Sequence, residues 1–349
     1  MDSSLQRLRA EFTSVPGYLD AATVGIPSRA TVDAMRDALD AWQAGRADLA
    51  FYDQTVATSR AAYARLVGVD PGAVAIGAQV SGLVGTVAAS LPDGAQVLAV
   101  EGDFTSVTYP FEAQAARGIA VRYVPLDRLA DEVRDTTDVV AYSLVQSRDG
   151  RLAPPTVPEA AAAHGARTVC DVTQAVGWLP VDASTFDVTV CGGYKYLAAP
   201  RGTAFLTVRP DDWSAALRPA SAGWYAGADI WSSIYGPAMR LADDARRFDI
   251  SPAWLAWVGA APVLEAFAAA DRDEVHAYDV GLANAFRTGI GLVPSSSAIV
   301  SLPDDAVGSV RNRLAEHGCR TAGRGGRVRL AFHVWNDETD VTLAVKAVS

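Results

Sequence analysis

Cysteine is scarce in this 349-residue chain: Cys170, Cys191 and Cys319 are the whole supply, and no two form a Cys-x-x-Cys pair. That spacing argues against a disulfide framework or a thiolate metal site and fits reduced cysteines in a core. The four histidines are scattered without ligand spacing, so no zinc site is expected. Positive charge is also short, with 30 Lys and Arg against 40 Asp and Glu and a net charge of −10. Nucleic acid is therefore a poor candidate for the main partner, because phosphate binding needs clustered Lys and Arg. No apolar run reaches the roughly 20 residues that span a bilayer. The start, Met1-Asp2-Ser3-Ser4, has no basic region followed by an apolar core. No signal peptide is read there, and a cytoplasmic location is expected. Internal repeats and low-complexity linkers are missing too.

Half of the residues are hydrophobic, which suits a compact globular enzyme with a large domain and a smaller one. Apolar periodicity predicts a short helix over 5–16, an irregular arm over 17–27, and helices over 28–44 and 52–67. Strands and helices then alternate. Strands are expected at 74–76, 96–100, 120–124, 138–143, 167–170, 188–191 and 203–208, with helices over 81–90 and 107–117. This alternation predicts an α/β fold with a mostly parallel, seven-stranded-type sheet covered on both faces. After residue 238 the pattern turns to helices over 254–270, 274–289 and 307–317, with short strands at 298–301 and 327–332. The expected division is an arm over 1–25 joining the small domain, a large domain over 26–237, and a small C-terminal α+β domain over 238–349. Ligands bind outside the carboxyl ends of strands in such sheets. That directs attention to 77–82, 101–106, 144–150, 171–174 and 192–195.

Two of these ends carry chemistry. One reads Cys170-Asp171-Val172-Thr173-Gln174-Ala175, the next Cys191-Gly192-Gly193-Tyr194-Lys195-Tyr196. A lysine at a strand end can form an imine with a carbonyl cofactor, and an aspartate can hold a pyridinium nitrogen. Pyridoxal 5'-phosphate needs that pair. Asp171 also reads as a helix N-cap, and Lys195 as a surface lysine, but neither fits the small residues and apolar strands around them as well. Gly77-Ala78-Gln79-Val80-Ser81-Gly82 opens a helix, and free N–H groups at a helix start bind phosphate without a basic side chain. Ser81 is not a hydrolase nucleophile, since the first glycine of Gly-x-Ser-x-Gly is absent. In Arg327-Val328-Arg329-Leu330-Ala331 alternation puts Arg327, Arg329 and Ala331 on one face.

Together these segments resemble pyridoxal-phosphate enzymes of fold type I, specifically the class V aminotransferase family with its cysteine desulfurases, kynureninases and isopenicillin-N epimerase-like proteins. The resemblance runs from the arm near Leu19 to Trp335. It implies that Lys195 carries the cofactor as a Schiff base and serves as base at the substrate α-carbon. It implies further that Asp171 meets the ring nitrogen, Gln174 the ring hydroxyl, and Phe104 the outer ring face. Tyr194 would contact the phosphate, and Gln79 and Val80 lie in the phosphate turn, where the usual hydroxyl-bearing triplet is replaced. Arg329, favoured over Arg327, would clamp the substrate α-carboxylate bidentately. Gln146 and Ser147 would reach the substrate amine or the ring. Trp224, with Arg247 and Phe248, would approach the site from a partner subunit, which implies a homodimer with its sites at the interface.

A further departure from the family pattern lies before the arginine strand. Desulfurases carry a nucleophilic cysteine on a loop before the arginine strand, and here that loop is shortened to Arg320-Thr321-Ala322-Gly323-Arg324. Cys319 falls where an apolar residue is normal, so no persulfide role is expected of it. The leading expectation is an enzyme acting on an α-amino acid by transamination, with elimination at the β- or γ-carbon as the alternative. A non-catalytic pyridoxal-phosphate-binding protein and a sugar- or nucleotide-binding α/β protein are the readings from other classes.

Overall fold

A computed structural model describes residues 3–236 and 238–349. Met1, Asp2 and Pro237 lie outside the described residues, and with them the first residues of the expected arm and the last of the expected large domain. Helix α1 (Ser4–Ala10) begins with a reciprocal cap between Ser3 and Gln6. It ends well before the expected residue 16. Helix α2 (Arg29–Gln43) starts at Ser28, whose hydroxyl accepts the Thr31 N–H. Helix α3 (Leu49–Val67) closes on Gly68, which takes the left-handed conformation at φ 71°.

The central sheet contains β1 (Val74–Gly77), β2 (Gln96–Val100), β3 (Ala120–Val124), β4 (Val139–Ser143), β5 (Arg167–Asp171), β6 (Val188–Gly192) and β7 (Ala204–Val208). Their order is β1-β7-β6-β5-β4-β2-β3. Strand β7 runs against both its neighbours, and every other pair is parallel. The carboxyl ends of β1, β2, β4, β5 and β6 therefore share one edge.

Alternation sends successive side chains to opposite faces. On β4, Val139 and Ala141 join the cluster under α4 (Val80–Ser90) and α5 (Thr105–Glu112), while Val140 and Tyr142 join the cluster under α3 and α6 (Val157–Ala163). Both faces are covered, which explains why the inner strands read as nearly continuous apolar runs. A short helix, α7 (Asp212–Ala216), follows β7. Helix α8 (Trp254–Ala268) packs on α2 and α3 and puts Trp257, Leu264 and Phe267 into the larger core. The apolar pattern of 254–270 does not reveal that attachment.

A second core gathers Leu282 and Phe286 of α9 (Arg272–Gly289) with Leu314 of α10 (Ser309–Glu316). It sits against a three-stranded antiparallel sheet of β8 (Ile299–Pro303), β9 (Ala322–Arg324) and β10 (Arg327–Ala331), in the order β8-β10-β9. Helix α11 (Glu338–Val348), opened by an Asp337–Asp340 capping box, adds Val341 and Ala344. Leu19 of the N-terminal arm completes this core, and the arm pairs with the small sheet at Tyr18–Arg320 and Asp20–Ala331. Helices α6, α7 and α11 and strand β9 were not foreseen. Helices α6 and α7 and strand β9 span only 7, 5 and 3 residues and give little periodicity to read.

One buried ion pair fixes β1 against α3. Asp249 accepts the Ile76 N–H at 2.8 Å and Arg60 Nη2 at 2.7 Å, while Arg60 also bonds the Val74 carbonyl. Both side chains are almost fully buried. Removing one partner leaves an uncompensated charge in the core. Asp249→Ala is expected to lower unfolding free energy by about 3–5 kcal/mol, read as a fall in the urea midpoint.

Candidate active site

The shared strand edge opens into a cavity of about 330 Å³. Its wall includes Gln79, Val80 and Ser81 at the start of α4, Phe104 after β2, Asp171 and Thr173 after β5, Tyr194 and Lys195 after β6, and Arg201. Six of the expected residues are thus brought together: Gln79, Val80, Phe104, Asp171, Tyr194 and Lys195.

Lys195 is 5 % exposed, and none of the ion pairs among the described residues includes it. Burial pulls its ammonium down to about 8, with Asp171 opposing the shift and Arg329 and Arg324 adding to it. Its Nζ lies 5.2 Å from the centre of the Phe104 ring and 5.8 Å from that of Tyr194. Gly25 explains how the chain reaches this loop. Its N–H donates to the Tyr194 carbonyl at 2.8 Å, and a Cβ there would collide with the Lys195 carbonyl oxygen.

Asp171 is the last residue of β5 and is buried. Burial pushes its carboxyl up, while the Thr173 N–H at 2.8 Å and the charge of Lys195 pull it down. The Thr173 hydroxyl accepts the Gly192 N–H at 2.9 Å and so ties the acid's loop to the lysine's strand. Gln174 donates to the Ala22 carbonyl at 3.0 Å and the Ser147 hydroxyl at 3.1 Å, and its Oε1 is buried with no partner.

Arg329 comes from β10 to the same region. It is 1 % exposed and donates to the Ser147 carbonyl and hydroxyl and, at 2.9 Å, to Thr23 Oγ1. Asp20 stands 3.9 Å away, and Arg329 Nε has no partner. Arg327, on the same face, is committed elsewhere, bonding Ser301 through Nε and Nη2 at 2.8 Å each.

Gln146 departs from its expected place. Its amide is turned onto Asp103 Oδ2 and the Ser143 carbonyl, both at 3.2 Å, and the polar contact with Arg329 falls to Ser147. Trp224 does not line the cavity of its own chain; it packs edge-on against Tyr225 and beside Trp231. Arg247 and Phe248 are engaged within their own chain as well. Arg247 bonds the Ser214 carbonyl and stacks on Phe248, which is buried beneath the sheet.

Sequence reasoning passed over four contributors. Asp103 accepts Ser143 N–H at 2.8 Å, Ser143 Oγ at 2.6 Å and Phe104 N–H at 2.6 Å, which sets the Phe104 loop. Arg201 lies over the Tyr194 ring at 4.9 Å. Thr23 and Arg324 meet beside Arg329. Only the position of Asp103 just past a strand end gave any signal; the others depend on long-range packing.

Helix α4 adds a polar element to the wall. Gln79 is its N-cap, but no side chain caps the helix, so its first N–H groups are free toward the cavity side. The cavity therefore combines an uncapped helix start, an exposed aromatic ring, a buried amine and a buried acid.

The sequence model of the class V aminotransferase family matches residues 75–313. An uncharacterized aminotransferase of Bacillus subtilis (strain 168), YcbU, is 26 % identical over 83 % of this chain and 82 % of its own length. Isopenicillin N epimerase of Streptomyces clavuligerus is 32 % identical over 48 % of this chain and 46 % of its own. Among solved structures, the cystine C–S lyase C-DES superposes with a TM-score of 0.84 at 21 % identity, covering 96 % of this chain and 97 % of that one. The cysteine desulfurase CsdA of Escherichia coli gives 0.80 at 18 %, covering 100 % and 98 %. The chain belongs to the class V aminotransferase family, with the fold type I architecture, and is a pyridoxal-5'-phosphate-dependent transferase or lyase.

Proposed function

We propose that this protein is an aminotransferase acting on an α-amino acid. The observation that carries the reading is Lys195: an amine whose pKa burial lowers to about 8, lining one cavity with Asp171 and the Phe104 ring.

The residues present fit the cofactor. The unpartnered Gln174 Oε1 offers an acceptor for a ring hydroxyl, and the exposed Phe104 ring offers a stacking surface. Asp171 would hold the ring nitrogen. The phosphate would meet the free N–H groups of α4 beside Gln79 and Val80, together with Ser81, Tyr194 and Arg201. Lys195 would anchor the cofactor through its aldehyde carbon. Trp224, outside the cavity of its own chain, is assigned to the site of a second copy in a homodimer. The exposed Tyr235 and Met239 nearby in sequence support such a contact.

When bound, pyridoxal phosphate draws electrons away from the substrate α-carbon through its protonated ring. Asp171, already buried, would favour a protonated ring nitrogen placed beside it. Arg329 orients the substrate by its α-carboxylate, with Ser147 and Thr23 fixing the guanidinium plane. Lys195 Nζ, once free and neutral, takes the proton from the α-carbon and returns it within the same site. Transamination asks for one base moving one proton a short way. Elimination of a poor leaving group asks in addition for an acid, and Phe104 supplies none. The three cysteines are all buried, so none is presented as a desulfurase nucleophile. The similarity to C-DES favours one second reading, a carbon–sulfur lyase whose sulfur leaving group needs no such acid.

Purified protein is expected to show a band near roughly 410–430 nm that borohydride bleaches and that Lys195→Ala lacks. The neutral amine dominates only above the lysine's folded value of about 8. Cofactor uptake by the stripped protein should therefore speed up roughly tenfold per pH unit below 8 and level off above it. A flat pH dependence would remove Lys195 from this role. Product analysis over a panel of amino acids separates the reactions. A new amino acid formed only when an oxo acid is supplied is the expected result; pyruvate and thiol released from a cysteine conjugate without acceptor would establish the lyase instead.

A further inference from the structure

The chain carries a net charge of −10, yet guanidinium groups gather where Arg329 enters the site. Arg324, the last residue of β9, donates Nη2 to Thr23 Oγ1 at 3.4 Å, the same oxygen that accepts Arg329 Nη2 at 2.9 Å. Its other bond, from Nη1 to the Gly323 carbonyl at 2.8 Å, is local. Arg148 follows Ser147, and its guanidinium is lodged between two turns: a Cβ on Gly102 would stand 3.3 Å from Nη1, and one on Gly325 would stand 3.7 Å from Nε.

Among the described residues no carboxylate comes within ion-pairing distance of Arg148 or Arg324, and Asp20 reaches Arg329 only at 3.9 Å. The charge of the buried Asp20 acts with those of Arg320, Arg324 and Arg329, so one acid stands against three guanidiniums. Arg324 is exposed, so the approach from solvent is open. Both Arg324 and Arg329 are also near enough to Lys195 to act on its ammonium. Asp20 and a substrate α-carboxylate together still leave one of these three guanidiniums without an opposing charge, with Arg148 in addition.

Resting on the reading of Arg329 as the α-carboxylate clamp, we propose that Arg324, with Arg148 beside it, forms a second anion subsite. The substrate is then an amino acid whose side chain itself ends in a carboxylate. Residues 320–324 run directly from Cys319 into β9, and Arg324 at the end of that strand stands beside Thr23.

Calorimetric titration of the holoenzyme with succinate and with butyrate tests this without turnover, because neither carries an amine. The two differ in a second carboxylate. Succinate is expected to bind at least about tenfold more tightly than butyrate, the scale of one charge-assisted pair. Arg324→Met should bring that ratio to within about threefold, and Arg324→Glu should reverse it. A wild-type ratio near one overturns the proposal, as does a ratio that Arg324→Met leaves unchanged. A protein that takes up no pyridoxal phosphate but still prefers succinate through Arg324 keeps the subsite and loses the proposed aminotransferase function.

Discussion

Lys195 is buried without a carboxylate at ion-pairing distance, and holding an amine in that state is the constraint that the surrounding structure serves. A solvated lysine would stay charged to a pH well above 8 and could not act as a base near neutrality. Desolvation has the opposite effect and needs a rigid backbone, because any retreat of the loop would return the amine to water. The loop is tied on several sides. Ala198 N–H bonds the Lys195 carbonyl, Ala199 N–H bonds the Gly193 carbonyl, and Ala198 itself is held at φ 52°. For a non-glycine residue that conformation is costly and persists only where the neighbours enforce it.

The neighbours come from both cores. His333, just past β10, lies with Nε2 2.7 Å from the Tyr196 carbonyl and Nδ1 2.5 Å from Asp279 of α9. A carbonyl only accepts, so Nε2 carries the hydrogen that links the smaller core to the lysine loop. The ring stacks on Phe267 of α8 and is fully buried. The N-terminal arm makes a second link: it bonds Tyr194 through Gly25, Gln174 through Ala22 and Arg329 through Thr23. Lysine, acid and arginine therefore sit on three separate segments whose positions are set by one another. Arg329 is useful only because β10 is anchored a few residues later to the backbone beside Lys195.

Charge in the site is arranged with the same economy. Asp171 and Lys195 are buried and line one cavity, and each opposes the shift that burial imposes on the other. The arginines lie at its margins, where anionic groups of ligands would be received. Cys170 and Cys191 precede Asp171 and the Lys195 loop in sequence but are buried in the core, and burial pushes their thiols well up. They behave as small apolar residues, as the spacing suggested.

Much of this was legible in the chain alone. The short, nearly continuous apolar runs at 96–100, 138–143 and 167–170 marked inner strands, because an inner parallel strand must be apolar on both faces. The residues just past them were marked as the site, because parallel strands bring their carboxyl ends to one edge. Asp171 and Lys195 stood out by such positions, whereas Gln174 and Phe104 were singled out by the resemblance to the class V family. Tertiary structure alone decided the attachment of α8 to the larger core, the engagement of Gln146 by Asp103, and the meeting of Thr23, Arg324 and Arg329. Each of these joins residues far apart in the chain, and no local periodicity records which distant side chain will satisfy a buried polar group. Sequence determined which residues stand at the strand ends; packing of the arm and the smaller core determined which of them face one another.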